Sequence, residues 1–159
     1  MLMSKDVEVQ VLSWAQMKKA FFKQTKSHVF ELLGYDRQTP LHILSKDSCS
    51  EVSRLLGQWL REKLPNAKIY IAKGKIKKHF HDIVLVQENK VYALDPTVWQ
   101  YFKNKKSILI AEGNSTDDIF HALINYYGGT WRVSENVKGY SASEIKKLKE
   151  VIIKNKTLH

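Results

Sequence analysis

Residues 80–97 read FHDIVLVQENKVYALDPT, and this stretch decides how the chain is built. Phe80 to Val86 and Val91 to Leu94 have strand composition, and the polar turn Gln87-Glu88-Asn89-Lys90 joins them as a hairpin. Both strands are apolar on both faces, which predicts a sheet covered on each side rather than one open to water. Ala67 to Ala72, with Ile69, Tyr70 and Ile71, predicts a strand before the hairpin, and Ser107 to Ala111 predicts a fourth after it.

Helices flank these strands. Ser13-Trp14-Ala15-Gln16 reads as a capping box opening a helix to about Gln24, with Trp14, Met17, Phe21 and Phe22 on its apolar side. A short apolar stretch, Val29 to Leu33, stops at Gly34, and Tyr35 to Pro40 reads as a loop leading to Leu41-His42-Ile43-Leu44. The strongest helix follows. Ser48 as N-cap and Glu51 make a capping box, and Val52, Leu55, Leu56, Trp59, Leu60 and Leu64 recur at helical spacing until Pro65. Ser115 to Tyr127 predicts a helix stopped by Gly128-Gly129, and Ser141-Ala142-Ser143-Glu144 opens a last, lysine-rich amphipathic helix. Helices, then strands, then helices imply an α+β class.

The chain has 159 residues, 43% of them hydrophobic, enough for one domain over residues 1–159 with its own core. No apolar run is long enough to span a bilayer, and the opening MLMSKDVEVQ lacks a signal-peptide pattern, so a soluble protein is expected. A single cysteine, Cys49, excludes an internal disulfide framework and any multi-cysteine zinc site. Lys plus Arg number 26 against 16 Asp plus Glu, and the resulting +10 favours nucleic acid, acidic proteins or anionic lipid as neighbours. The local clusters Lys73, Lys75, Lys77, Lys78 and Lys103, Lys105, Lys106 lack the interleaved aromatics of a single-strand-binding groove, so nucleic acid is not the expected partner.

Cysteine attacks as thiolate, and the first turn of a helix stabilises thiolate because unpaired backbone N–H groups point at it. Cys49 is the first residue of the strongest helix, in the polar setting Lys46-Asp47-Ser48-Cys49-Ser50 rather than in the apolar run usual for a core cysteine. A nucleophilic cysteine needs a base, and the base needs a group that orients it. His81, at the start of one hairpin strand, and Asp95, at the end of the other, fill these roles if register puts them on one face. A three-residue loop, Gln87-Glu88-Asn89 with Asn89 left-handed, opposes His81 to Asp95. A two-residue loop, Glu88-Asn89, opposes Asp82 to Asp95, two like charges. A five-residue loop pairs His79 with Asp95 but removes Leu85 and Val86 from the strand. His81 is preferred and His79 is the reserve. His42 and His121 flank apolar positions and read as partly buried histidines; Trp99 and Trp131 either line a substrate cleft or pack.

The ordered set of helix-start cysteine, Phe80-His81-Asp82-Ile83-Val84-Leu85-Val86, and Val91-Tyr92-Ala93-Leu94-Asp95-Pro96-Thr97-Val98-Trp99-Gln100 resembles papain-like cysteine enzymes. It is most similar to bacterial papain-fold toxin domains and protein-glutamine deamidases, neighbours of the transglutaminases. The likeness covers roughly residues 41–102, taken as a catalytic core, with a helical region over 1–40 and C-terminal strand and helices over 103–159. It implies a papain-like α+β fold in which N-terminal helices, the nucleophile helix among them, pack on a small antiparallel sheet. It implies Cys49 as nucleophile, His81 as general base and acid, Asp95 as orienter, and no cofactor or metal. The implied partners are a protein with a target glutamine and an acidic immunity or inhibitor protein, with delivery by a bacterium into a target-cell cytosol.

Papain-type proteases carry a glutamine shortly before the cysteine for the oxyanion hole, and here Leu44, Ser45, Lys46 and Asp47 stand there, with Gln38 farther away. This departure puts deamidation ahead of proteolysis. Rival readings are a peptidase or transglutaminase with the same triad, a basic nucleic-acid-binding domain, and an inactive papain-like interaction module.

Overall fold

The structure, a computed structural model, describes residues 14–157, with the side chains of 14–17 outside that description. The expected cap Ser13, and the Trp14 and Met17 side chains assigned to the apolar face, therefore lie outside the described residues. Helix α1 runs Trp14–Leu33 as one element where two were expected. Thr25, the β-branched residue near the expected break, is buried, and its hydroxyl donates 2.8 Å to the Phe21 carbonyl one turn back, so the helix passes through. Gly34 ends it at a φ of 66°; its N–H donates to Glu31 O and the Tyr35 N–H to Phe30 O, the paired bonds that close a helix C-terminus.

A four-residue helix α2, Leu41–Leu44, follows Pro40, and α3 runs Cys49–Lys63. The strands are β1 Lys68–Ile76, β2 His79–Gln87, β3 Val91–Leu94, β4 Leu109–Gly113 and β5 Thr130–Asn136. Helix α4, Thr116–Tyr127, precedes β5, and α5, Ala142–Thr157, closes the described chain. The serine expected to open the last helix caps it, and Ser115 caps the one before: Ser141 Oγ accepts from the Glu144 N–H and Ser115 Oγ from the Asp118 N–H, each at 3.1 Å.

The strands make one antiparallel sheet in the order β4-β3-β2-β1-β5, so the class is α+β. The sheet is covered on both faces, as its apolar strands require. Val84, Val86 and Leu94 join a core with Leu56 and Leu60 of α3, Val29 and Leu33 of α1 and Ile152 of α5. Ile83, Leu85 and Ala93 pack with Ile119 and Leu123 of α4. Alternate residues of β2 thus serve different layers.

Three corrections come with the sheet. β1 extends four residues past Ala72 to Ile76, because Gly74 and the lysines beside it pair with both neighbours. The fourth strand is shifted two residues from the expected Ser107–Ala111. A fifth strand was not expected: TWRVSEN is short, largely exposed and polar at alternate positions, and it forms because β1 offers a free edge. Among the described residues no helix is long and apolar enough to cross a membrane.

Candidate active site

The β2–β3 hairpin sets the site. Gln87 pairs with Val91 and Val84 with Leu94, leaving Glu88-Asn89-Lys90 as the three-residue loop, in which the Glu88 N–H donates to the Lys90 carbonyl. This corrects the expected loop by one residue at each end, and Asn89 is not left-handed: among the described non-glycine residues only Arg37, Asp47 and Lys77 have positive φ. His81 and Asp95 are therefore diagonal neighbours rather than directly opposed. The parity is the same, so both still point to one face.

Their contact is short: His81 Nε2 lies 2.6 Å from Asp95 Oδ2, and both residues are fully buried. Asp95 has left the ladder, donating its N–H to Ile108 O at 2.8 Å, and its other oxygen, Oδ1, accepts the Thr97 N–H at 3.0 Å. This Asx turn explains Asp-Pro-Thr: the carboxylate caps its own chain reversal while facing the histidine. The Tyr127 hydroxyl also donates to Asp95 Oδ2. Burial, followed by the charge and hydrogen bond of Asp95, holds the Tyr127 hydroxyl far above its ordinary pKa, so it remains a donor.

Cys49 is half-buried at the start of α3, and its thiol is close enough to act on the His81 ring. His81 Nδ1 is buried with no hydrogen bond of standard geometry, while the Cys49 thiol still acts on the imidazole by charge and by a weaker hydrogen-bonding contact. Resting catalytic sites commonly show such loose alignment. Burial alone pushes the imidazole toward neutrality, but the Asp95 charge and hydrogen bond, with Cys49, outweigh it and raise the His81 pKa from 6.5 to about 10. The shift favours the protonated form of the ring.

The turn delivering Cys49 differs from expectation. Helix α3 starts at Cys49, but the Ser48 side chain does not cap it; its hydroxyl donates to Lys46 O at 3.2 Å and accepts from Asn155 Nδ2 at 3.2 Å. Asp47 takes a φ of 58° and its carbonyl accepts from Asn155 Nδ2 at 2.9 Å, so α5 grips the backbone just before the cysteine. The first-turn N–H groups of α3 carry no side-chain cap and face the end where the thiol sits. Farther along, Ser53 Oγ donates 2.9 Å to Asp82 O, and Arg54 Nη1 reaches the buried Asp82 carboxylate at 2.9 Å. Helix α3 is thus fastened to the strand residue next to His81.

Aromatic rings enclose the imidazole. Ring centroids of Tyr101, Tyr127 and Trp131 lie 4.7, 5.6 and 6.4 Å from that of His81. Trp131 reaches this place because Gly74, paired with both His81 and Trp131, has no side chain; a Cβ there would come 2.6 Å from Trp131 Cζ2. Tyr127 and Gly74 were missed in the sequence because each acts through a partner distant in the chain. Trp99 instead packs in the core, donating its ring N–H to Lys105 O at 2.8 Å.

A cleft of about 610 Å³ opens on Cys49, lined also by His42, Lys46, His79, Phe80, Gln100 and Lys103. His79 is exposed there and does not meet Asp95; His121 is exposed on α4, not partly buried as expected. Gln38 sits in the Asp36 turn, and Gln100 is the glutamine at the cleft, its amide donating to Ser45 O. A separate apolar cavity of about 280 Å³ lies between α1 and the sheet, against Phe21, Phe22 and Tyr92. No family model, no curated protein and no solved structure matches this chain.

Proposed function

We propose that the protein is a papain-like, cysteine-dependent amide hydrolase with Cys49 as nucleophile, His81 as acid and base and Asp95 as orienter, and that it deamidates glutamine side chains in protein substrates. One observation carries this reading: a half-buried thiol at an uncapped helix start stands beside an imidazole whose far nitrogen is 2.6 Å from a buried carboxylate. A buried His–Asp pair is costly to keep as structure alone, and perturbed titration of this kind clusters at functional sites.

In the proposed reaction the Cys49 thiolate attacks the amide carbon, and the C–S bond forms as the carbonyl electrons move onto oxygen. The uncapped first-turn N–H groups of α3 receive that oxyanion. The His81 imidazolium protonates the leaving nitrogen, the C–N bond breaks and ammonia departs, leaving a thioester and neutral imidazole. Water then gives a proton to His81 and its hydroxide to the acyl carbon, and the C–S bond breaks. The carboxylic acid leaves and thiolate and imidazolium are restored. Asp95, held by Thr97 and Tyr127, keeps Nδ1 turned toward sulfur throughout.

The test uses an N-protected glutaminyl-glycine dipeptide and reduced casein as probes. Ammonia release without new peptide ends, lost in Cys49→Ala and His81→Ala, supports the reading. New peptide ends or incorporation of an added primary amine would establish a peptidase or a transglutaminase on the same triad. An ordinary thiol with none of these products would overturn the triad.

A further inference from the structure

Lysines from three separate stretches of the sequence stand at or beside the Cys49 cleft. Lys103, which opens the second cluster, lines it, as do His79 and Phe80, which follow directly on the Lys77-Lys78 turn of the first. Lys73 Nζ lies 5.6 Å from the Phe80 ring centroid, behind that side chain. Lys46 lines the cleft from the loop before the nucleophile, and Lys46, Lys78 and Lys103 are all exposed. Among the described lining residues Asp47 is the one carboxylate. Two lysines thus line the cleft that opens on the thiol, and the Lys77-Lys78 turn directly precedes two more of its lining residues. Within the same lining Phe80 is 59% exposed and Tyr101 is 36% exposed, an apolar shelf beside the lysines.

From this we infer that the cleft docks an acidic, extended protein segment, with carboxylates against Lys46, Lys103 and the Lys77-Lys78 turn and an apolar side chain on Phe80. It deepens the proposed function and rests on it for the identity of the reacting group: the target amide lies within an acidic stretch of its protein. Charge complementarity of this kind raises encounter rates and selects partners more than it adds affinity, and it weakens with salt. A protein segment is favoured over nucleic acid because the lining lysines flank a pocket that holds the thiol, and its two exposed rings, Phe80 and Tyr101, are fewer than the row of stacking platforms that a strand of bases uses.

The experiment is protection of Cys49. Alkylation by neutral iodoacetamide is followed in wild type and in the Lys46→Glu, Lys78→Glu, Lys103→Glu triple variant, with added polyglutamate, polylysine or an RNA oligonucleotide. Polyglutamate is expected to slow wild-type alkylation severalfold, the effect fading with added salt and absent in the triple variant; polylysine is expected to do nothing. No protection by polyglutamate, or equal protection in the variant, would overturn the inference. RNA protecting at lower concentration than polyglutamate would overturn it in favour of nucleic acid. All three lysines are exposed, so folding of the variant, checked by its unchanged thermal transition, is expected. Protection reads docking even if the thiol is unactivated, whereas ammonia release and the His81→Ala comparison read the chemistry, so the two failures are distinguishable.

Discussion

His81 Nε2 and Asp95 Oδ2 stand 2.6 Å apart because the β2–β3 register makes the two residues diagonal neighbours on one face, fourteen residues apart in the chain. A register slip of a single residue would send one of them to the opposite layer. The same pairing leaves the other ring nitrogen, Nδ1, without a hydrogen-bond partner, and most of the chemistry expected of the site follows from it.

The thiol should alkylate readily in the wild type, because an imidazole positioned beside a thiol assists its ionisation. His81→Ala should slow it toward the rate of a peptide thiol, and amide hydrolysis should fall by roughly 10²–10⁴-fold, the usual worth of a positioned acid and base. Rates of iodoacetamide labelling and ammonia release check this. Equal labelling of variant and wild type would count against the imidazolium.

Stability should decline on the alkaline side. The folded-state pKa of His81 is raised above its ordinary 6.5 to about 10, so its contribution is fully present below pH 6.5 and is lost as pH rises through about 10. Denaturant midpoints measured from pH 6 to pH 10 should fall for the wild type. Asp95→Asn should flatten that decline and cost about 1–3 kcal/mol at pH 6, where the hydrogen-bonded partner charge is missed most.

Tyr127 shares Asp95 Oδ2 with His81 and draws part of the carboxylate's charge away from the ring. Tyr127→Phe preserves the ring packing, yet it should strengthen the carboxylate's hold on the imidazolium and move the His81 titration to higher pH. NMR of the His81 ring across pH reads this directly. An unmoved titration would make Tyr127 a packing residue only.

Gly74→Ala should unseat Trp131, since the new Cβ would lie 2.6 Å from its ring. The strain expected of such overpacking is about 1–3 kcal/mol, visible as a lower thermal midpoint. Trp131→Ala in the same chain should recover much of it, and a double variant no more stable than Gly74→Ala would argue against the clash.

Arg54→Ala should leave the Asp82 carboxylate, 2% exposed, with only the more distant Lys73 at 3.5 Å. About 1–3 kcal/mol of stability should be lost for the weakened pairing of a buried group. Because the same arginine fastens α3 to β2, alkylation of Cys49 should also slow; unchanged reactivity would show that the Ser53 bond alone holds the helix in place.

Local signals were enough for much of the architecture. The periodicity of Val52 to Leu64, the two-sided apolar strands around Gln87 to Lys90 and the serine caps at Ser115 and Ser141 are properties of short windows, where side-chain spacing and backbone capping act without help from the rest of the chain. They determined the α+β class, the helix position of Cys49 and, through strand parity, the shared face of His81 and Asp95. Tertiary structure decided the rest. Whether Thr25 interrupts α1, whether TWRVSEN becomes a strand, and whether Ser48 caps α3 or instead joins Lys46 and Asn155 depend on what lies across the fold. Tyr127 on Asp95, Trp131 over Gly74, and Lys46 with Lys103 at one cleft bring together distant residues when the sheet orders its strands, and no spacing within a single segment encodes them.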